Sequence, residues 1–302
     1  MDDNISLKIA GINLKNPLIV ASGFLGLSQH IFKRLYNLGA GAIVSKSISI
    51  LPREGYRNPT IVSIDGNSYL NAVGLANPGL ESFSNEIICN DVPLFVSIVG
   101  SSFEDFAKIV NKLKNFNILG FELNLSCPHV EKMGMEIGDD PKAVFDIINI
   151  VKKNTNKPLF VKVGIGNSNI ITIAKVAEEA GADGITAINT IRAMKIDIET
   201  GYPILENKIG GLSGACIKPM GIRCVYELKK NINIPIIGCG GIMSYKDVIE
   251  YLMAGASAVQ IGSILGFKGL NIFKDINNDL QNFLEMKNYS HIGEIIGIAH
   301  RQ

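Results

Sequence analysis

Cys127 stands in the segment ELNLSCPH, just after an apolar run and three residues past Asn124. A cysteine there can be a small buried hydrophobe. It can equally be a general base, once burial and neighbours tune its thiol. Its place beside a strand-end asparagine, below a long polar segment, favours the base. Lys46 in AIVSKS and Lys162 in LFVKVG also lie at the ends of apolar runs. An ammonium there is costly without a partner. Such a lysine could form a Schiff base, hold an anion, or balance the negative charge of a reduced cofactor. Asn124, Asn189 and Thr190 carry donors and acceptors that suit a planar, amide-bearing ligand. Gly240-Gly241 and Gly262-Ser263 close two further runs, where backbone N–H groups can cradle a phosphate. Ser22, Gly23, Ser47 and Ser97 complete a polar, glycine-rich set with no carboxylate pair. That argues against glycosidase-type acid–base chemistry. No G-x-G-x-x-G opens a strand–helix–strand unit, so the phosphate is expected on a mononucleotide rather than a dinucleotide.

Eight short runs must position these residues: Leu18–Gly23, Ala42–Ser47, Leu94–Gly100, Gly120–Ser126, Leu159–Gly164, Gly184–Asn189, Pro235–Gly241 and Ala258–Ser263. Most are continuously apolar, as strands covered on both faces are. Helical spacing fills the intervals, over Phe103–Asn115, Pro141–Asn154, Ser168–Ala180, Ile217–Lys230 and Ser244–Ala254. Phe103, Phe106, Ala107, Val110 and Leu113 form one stripe, and Asp140-Pro141 reads as a helix start. Gly-Ala turns at 38–41, 180–183 and 254–257 end helices and lead into strands. The pattern predicts an α/β fold, a single (β/α)8 barrel over residues 1–302. A doubly wound open sheet is the competing architecture. Ile5–Lys15 reads as a hairpin across the barrel bottom. Leu51–Ala76 and Thr190–Ser213 read as long loops over the mouth, where lids and substrate loops are found.

Composition narrows the function. Apolar residues at 47% with a net charge of +1 exclude a disordered chain and leave no basic footprint for nucleic acid. No uninterrupted apolar stretch is long enough for a membrane span. The start MDDNISLKIAG does not read as a secretory signal. Five cysteines, an odd number without a C-x-x-C, argue against a disulfide framework or a metal site and fit a reducing cytoplasm. Cys89, Cys216, Cys224 and Cys239 read as packing residues.

The motifs together resemble the class 1B dihydroorotate dehydrogenases, specifically their catalytic subunits, across essentially the whole chain. The carriers are SKSISILPREGYRNP at 45–59, NAVGLANPG at 71–79, ELNLSCPH at 122–129, NTIRAMKIDIETGYPIL at 189–205, GGLSG at 210–214 and the Gly240-Gly241 pair. The resemblance implies FMN at the barrel mouth, its phosphate at Gly240, Gly241, Gly262 and Ser263. Ser22, Lys46, Ser47, Asn124, Lys162, Ile188 and Gly214 would meet the rest of the flavin. Lys46, Asn71, Ala72, Val73, Gly74, Leu75, Asn124, Asn189 and Thr190 would hold the pyrimidine. Cys127 would take the C5 proton while C6 yields hydride to the flavin. Lys162 would stabilise the reduced flavin, and Lys46 would meet the substrate carboxylate.

The resemblance also implies a homodimeric core and a partner subunit carrying FAD and a [2Fe–2S] cluster, joined as a heterotetramer that passes electrons to NAD in pyrimidine biosynthesis. This chain has neither a cluster of iron–sulfur cysteines nor a dinucleotide fingerprint. Three positions depart from the family pattern. His129 replaces an asparagine found in many dihydroorotate enzymes, Ser97 replaces an asparagine beside the flavin, and GIGNSN at 164–169 differs from the usual segment. His129 keeps open a related flavoenzyme acting on uracil-type dihydropyrimidines. A fumarate-linked class 1A-like enzyme, a Schiff-base barrel and a non-catalytic binding barrel are the remaining readings.

Overall fold

The computed structural model describes residues 3–64, 66–125, 137–166 and 168–301. A short hairpin comes first, with β1 (Leu7–Ile9) antiparallel to β2 (Ile12–Leu14). Its two-residue turn has Ala10 at φ 47° and Gly11 at φ 82°, the left-handed pair that matches strand twist in such hairpins. Then come β3 (Leu18–Val20), α1 (Gln29–Asn37), β4 (Ala42–Val44), β5 (Ile61–Ile64), β6 (Ser68–Asn71), α2 (Gly79–Glu86), β7 (Leu94–Ile98), α3 (Phe103–Leu113) and β8 (Gly120–Asn124). The chain continues through α4 (Pro141–Asn154), β9 (Leu159–Val163), α5 (Ile170–Glu179), β10 (Gly184–Ala187), β11 (Ile191–Ala193) and β12 (Gly210–Gly214). It ends with α6 (Lys218–Lys229), β13 (Ile236–Cys239), α7 (Tyr245–Met253), β14 (Ala258–Ile261), α8 (Ile264–Lys268) and α9 (Ile272–Met286).

Strands β3, β4, β7, β8, β9, β10, β13 and β14 close a parallel barrel in chain order, β14 pairing back onto β3. All eight sequence runs are its strands, each ending before the run does. The residues past each end leave the ladder to form the mouth. The helix expectations hold, with Asp140 capping α4 through the Lys142 and Ala143 N–H groups. In α3 the buried face is Phe106, Ile109, Val110 and Leu113, while Phe103 is exposed. Phe103 is the first residue after the Ser102 cap, before the helix has turned onto the barrel. The Gly-Ala joints carry left-handed glycines, Gly39, Gly181 and Gly255, as helix termination requires.

Alternation along each strand separates two cores. Outward residues such as Leu18, Val96, Phe121, Val161 and Val259 pack under the helices. Inward residues Ile19, Ala42, Val44, Phe95, Phe160, Ile237 and Ala258 fill the lower barrel, sealed by Ile9 and Leu14 of the hairpin. The hairpin therefore plugs the bottom as expected.

The two long segments differ from the loop expectation. They pair with each other into a four-stranded sheet of order β11-β12-β6-β5, with β6 antiparallel to β12 between residues about 140 positions apart. Short strands rich in glycine, serine and asparagine give no periodic signal, and only their long-range pairing defines them. No helix among the described residues is long and apolar enough to cross a membrane.

Candidate active site

The inward positions change character one step above the apolar plug. Ser97 of β7, Glu122 and Asn124 of β8, Lys162 of β9, Thr186 of β10 and Gln260 of β14 are all buried. The ladder registers them as neighbours, with Ser97 beside Glu122, Asn124 beside Lys162 and Lys162 beside Thr186. The Lys162 ammonium donates to Gln260 Oε1 at 2.9 Å and to Ser22 Oγ at 3.1 Å, and lies 3.8 Å from Glu122 Oε1. Glu122 Oε2 accepts from the Thr186 hydroxyl at 3.0 Å and from the Gln260 amide. Sequence reading singled out Lys162 and Ser22 but missed Glu122, Thr186 and Gln260. Glu122 and Gln260 each sat visibly within an apolar run, a signal as strong as the one that drew attention to Lys162.

A second cluster lies on the neighbouring strand ends. Asn124 Nδ2 donates to Ser47 Oγ at 2.9 Å, and Ser47 Oγ is 2.9 Å from Ser97 Oγ. The Ser97 N–H donates to Ser45 Oγ at 3.0 Å. The serine that departs from the family pattern is thus built into a hydroxyl chain. Asn189 Nδ2 reaches Asn124 Oδ1 at 3.5 Å, and Asn189 Oδ1 accepts the Thr190 N–H at 2.8 Å. A cavity of ≈ 220 Å³ opens here, lined by Lys162, Asn189, Thr190, Asp139, Ser168 and Arg192 among others. Lys46, half-buried on the segment after β4, has its ammonium pushed below the ordinary 10.5 by burial, with no partner found for it among the described residues.

Backbone builds the third part. Gly240 and Gly241 have φ of 119° and 71°, and Gly214 has φ of 101°. A Cβ on Gly241 would lie 2.7 Å from the Lys218 nitrogen and Cβ and 2.9 Å from the Gly214 carbonyl oxygen, so the turn packs against both segments with no room for a side chain of its own. The N–H groups of Gly240, Gly241, Gly262 and Ser263 donate to no backbone carbonyl among the described residues. Such N–H groups, at the ends of two paired strands, suit an anion. The Tyr251 hydroxyl, within 2.7 Å of Gly240 O and 3.2 Å of Cys239 O, fastens the turn from behind. Burial drives Tyr251 far toward its protonated form, so it stays a donor. Gly221 and Gly238 make room for it, since a Cβ on either would overlap its ring or hydroxyl. Tyr251 was missed because it reads as an ordinary core position of α7. The Lys218 ammonium, on the segment packed against Gly241, is already held by Asp247 at 2.7 Å and Glu250 at 2.8 Å, which raises its proton affinity.

The remaining predicted residues lie on or beside the four-stranded sheet. Asn71 Nδ2 donates to Gly211 O at 3.0 Å, and the Ala72 N–H donates to Thr60 O at 2.7 Å. Val73 O accepts from the Tyr56 N–H at 3.2 Å, and Gly74 packs against Tyr56 too closely for a Cβ. Leu75 has φ 57°, and its carbonyl accepts from Asn77 Nδ2 at 2.8 Å. Asn77, a motif residue not singled out before, also bonds Ser49 Oγ and the Ser49 and Gly79 N–H groups. The 71–75 loop is therefore braced from both sides. Ile188 is buried after β10, its N–H bonded to Cys239 O at 2.9 Å. Cys127 and His129 lie outside the described residues. Of the cysteines taken as packing, Cys224 is buried and Cys239 largely so, but Cys89 and Cys216 are exposed. Cys89 follows α2 and Cys216 lies within the helical turn Ala215–Ile217, where neighbours such as Ile87 and Ile217 take the buried positions. A larger groove of ≈ 600 Å³ runs between α6 and α7, away from every predicted site residue.

Fold and site define a (β/α)8 barrel with a polar, backbone-cradled mouth at the C-terminal strand ends, where such barrels carry their chemistry. The family model for dihydroorotate dehydrogenase matches residues 4–284, and the chain belongs to that family. Among curated proteins it is 46% identical over 297 residues to the dihydroorotate dehydrogenase B (NAD(+)) catalytic subunit of Pyrococcus horikoshii, covering 98% of this chain and 97% of that one. The subunit of the same name from Thermoplasma volcanium is 48% identical over 299 residues, 98% of either chain. That from Methanocaldococcus jannaschii is 44% identical over 303 residues, again 98% of each.

Proposed function

We propose that this chain is the catalytic subunit of an NAD-linked dihydroorotate dehydrogenase, oxidising dihydroorotate to orotate in pyrimidine biosynthesis. Relatives of that name, matched over nearly their whole length, support the activity. The observation that carries the chemistry is the paired geometry of the mouth. The residues after β13 and β14 offer backbone N–H groups that meet no backbone carbonyl among the described residues, and the other strand ends offer amides, hydroxyls and a lysine. This donor set fits FMN, a flat heterocycle with a phosphate tail.

FMN, when bound, supplies a two-electron acceptor for the hydride that leaves C6 of the dihydropyrimidine. Gly240, Gly241, Gly262 and Ser263 hold the phosphate through backbone N–H groups, with Gly214 leaving the space. Ser22, Ser47, Asn124, Ile188 and Lys162 line the ring. Lys162 has two of its three hydrogens committed to Ser22 and Gln260, which leaves one for a ring acceptor. Lys46, half-buried and without a side-chain partner among the described residues, takes the substrate carboxylate. Its charge is costly until an anion arrives, so binding relieves the cost. Asn71, Asn124, Asn189 and Thr190 present amide and hydroxyl edges to the pyrimidine, and the 71–75 loop covers it. Cys127 removes the C5 proton as thiolate. Loss of that proton and of the hydride from adjacent carbons forms the ring double bond.

Electrons leave through a partner subunit carrying FAD and a [2Fe–2S] cluster, around a homodimer of this chain. The term catalytic subunit in the relatives' names supports such a partner. The test is an anaerobic visible spectrum of the purified chain before and after dihydroorotate. A yellow protein whose flavin band bleaches is expected. A protein that takes up no FMN refutes the cofactor assignment. A yellow protein bleached by dihydrouracil but not by dihydroorotate refutes the substrate.

A further inference from the structure

Glu122 is the one carboxylate in the polar layer of the barrel among the described residues. It has no role in the chemistry above. It is 1% exposed, and its burial needs a reason. Three strands close on it. Thr186 from β10 and Gln260 from β14 fix one oxygen, while the other has no hydrogen bond and faces the Lys162 ammonium 3.8 Å away. Gln260 joins the two charges, accepting from the lysine through Oε1 and donating to the carboxylate through Nε2. The amide therefore cannot flip without losing both bonds, and the pair is locked in one orientation.

We infer that Glu122 is a positioning residue for the reaction, the counter-charge that retains the Lys162 ammonium in the resting enzyme before the cofactor carries any negative charge. This rests on the reading that Lys162 faces bound FMN. With a neutral oxidised ring above it, a lone buried ammonium would be expelled or would give up its proton. The Glu122 carboxylate prevents that, so the ammonium is already present when hydride arrives. Reduction then brings two electrons and one proton onto the ring, and the lysine takes up none. Without Glu122 the lysine rests neutral and collects a second proton from solvent as the ring turns anionic.

Among the described residues, the other charged and titrating groups at this end are Cys239, Lys46, Asp139 and Arg192. From β13, Cys239 is pushed up by burial and stays a thiol. Ser97 of β7, Ser22 after β3, and Thr186 and Gln260 carry no titrating group in this range. Lys46, after β4, is held below its ordinary value by burial, and Asp139 and Arg192 line the cavity that Lys162 also lines.

The experiment is a spectroelectrochemical titration of the FMN-loaded chain between pH 6 and 9, without substrate. The wild-type midpoint potential should fall with pH at the slope of one proton per two electrons. In Glu122→Gln the slope should double. Glu122→Asp, which keeps the charge, should return it to the wild-type value, and Glu122→Gln on a Lys162→Met background should change nothing. A wild-type slope in Glu122→Gln overturns the inference, because a merely structural carboxylate would not alter proton stoichiometry. If Glu122→Gln does not fold, the wild type still decides, since a two-proton slope there overturns the inference. Wild-type protein that binds no FMN overturns the cofactor reading itself, and is seen before any variant is made.

Discussion

The lower and upper halves of the barrel interior are built on the same eight strands and share no chemistry. Below, Ile19, Val44, Phe95, Phe160 and Ile237 interlock under the hairpin, with Phe95 and Phe160 edge to face at 5.4 Å between ring centroids. Above, one inward position further along each strand, the layer is Ser97, Glu122, Lys162, Thr186 and Gln260. The lower layer has only shape to satisfy, and tight packing suffices. The upper layer must satisfy donors, acceptors and charges, and does so by bonds between strands rather than within them. Stability and chemistry are thus separated by a single two-residue step along the strand.

That separation can be broken from either side. The largest effect is expected from Cys127→Ser, which should slow the reductive half-reaction by ~10²–10⁴-fold at neutral pH, the usual worth of a general base. Stopped-flow reduction by dihydroorotate measures it, with FMN content and thermal midpoint unchanged. Phe160→Ala, in the lower layer, should do the reverse. Loss of a buried ring costs about 3–5 kcal/mol of stability, read by denaturant titration, while KM for dihydroorotate stays within about twofold. Gly241→Ala tests the backbone-made part of the mouth. Its φ of 71° strains any side chain, and the added carbon would sit 2.7 Å from the Lys218 nitrogen. A left-handed penalty of about 1–2 kcal/mol corresponds to roughly tenfold weaker FMN retention, measured by flavin fluorescence on dilution.

The smallest effect concerns Lys46. Burial lowers its proton affinity below the ordinary 10.5, so substrate binding that depends on the ammonium should weaken as pH rises toward that value, earlier than for a free lysine. KM for dihydroorotate should climb there, and Lys46→Met should abolish the climb. The linked stability runs the other way. The unfolded chain holds the proton more tightly than the folded one, so this residue makes stability rise with pH between the lowered value and 10.5.

Much of the site was legible because it lies at strand ends, where a polar residue interrupts an apolar run. Ser47, Asn124, Lys162 and Asn189 were found in that way, and the structure joins Ser47, Asn124 and Asn189 by hydrogen bonds and sets Lys162 beside Asn124 in the ladder. Gly240 and Gly241 were legible as a pair, but the packing of Gly241 against Gly214 was not, since Gly214 belongs to a strand of the four-stranded sheet. Tyr251 was hidden because a tyrosine on the buried face of a helix gives no sign of where its hydroxyl ends. The two long segments were misjudged as loops, because neither contains the alternation that marks a strand.

The chain by itself determined the alternation of eight apolar runs with helices, the capped starts and glycine ends of those helices, and which strand-end residues could do chemistry. These are local properties, written in periods of two and of 3.6 residues. Tertiary structure alone decided that β6 would pair with β12, and that Glu122, Lys162, Thr186 and Gln260 would meet across the barrel. Those contacts depend on the register in which the barrel closes. Register is set by the packing of all eight strands together, so no short stretch of sequence contains it.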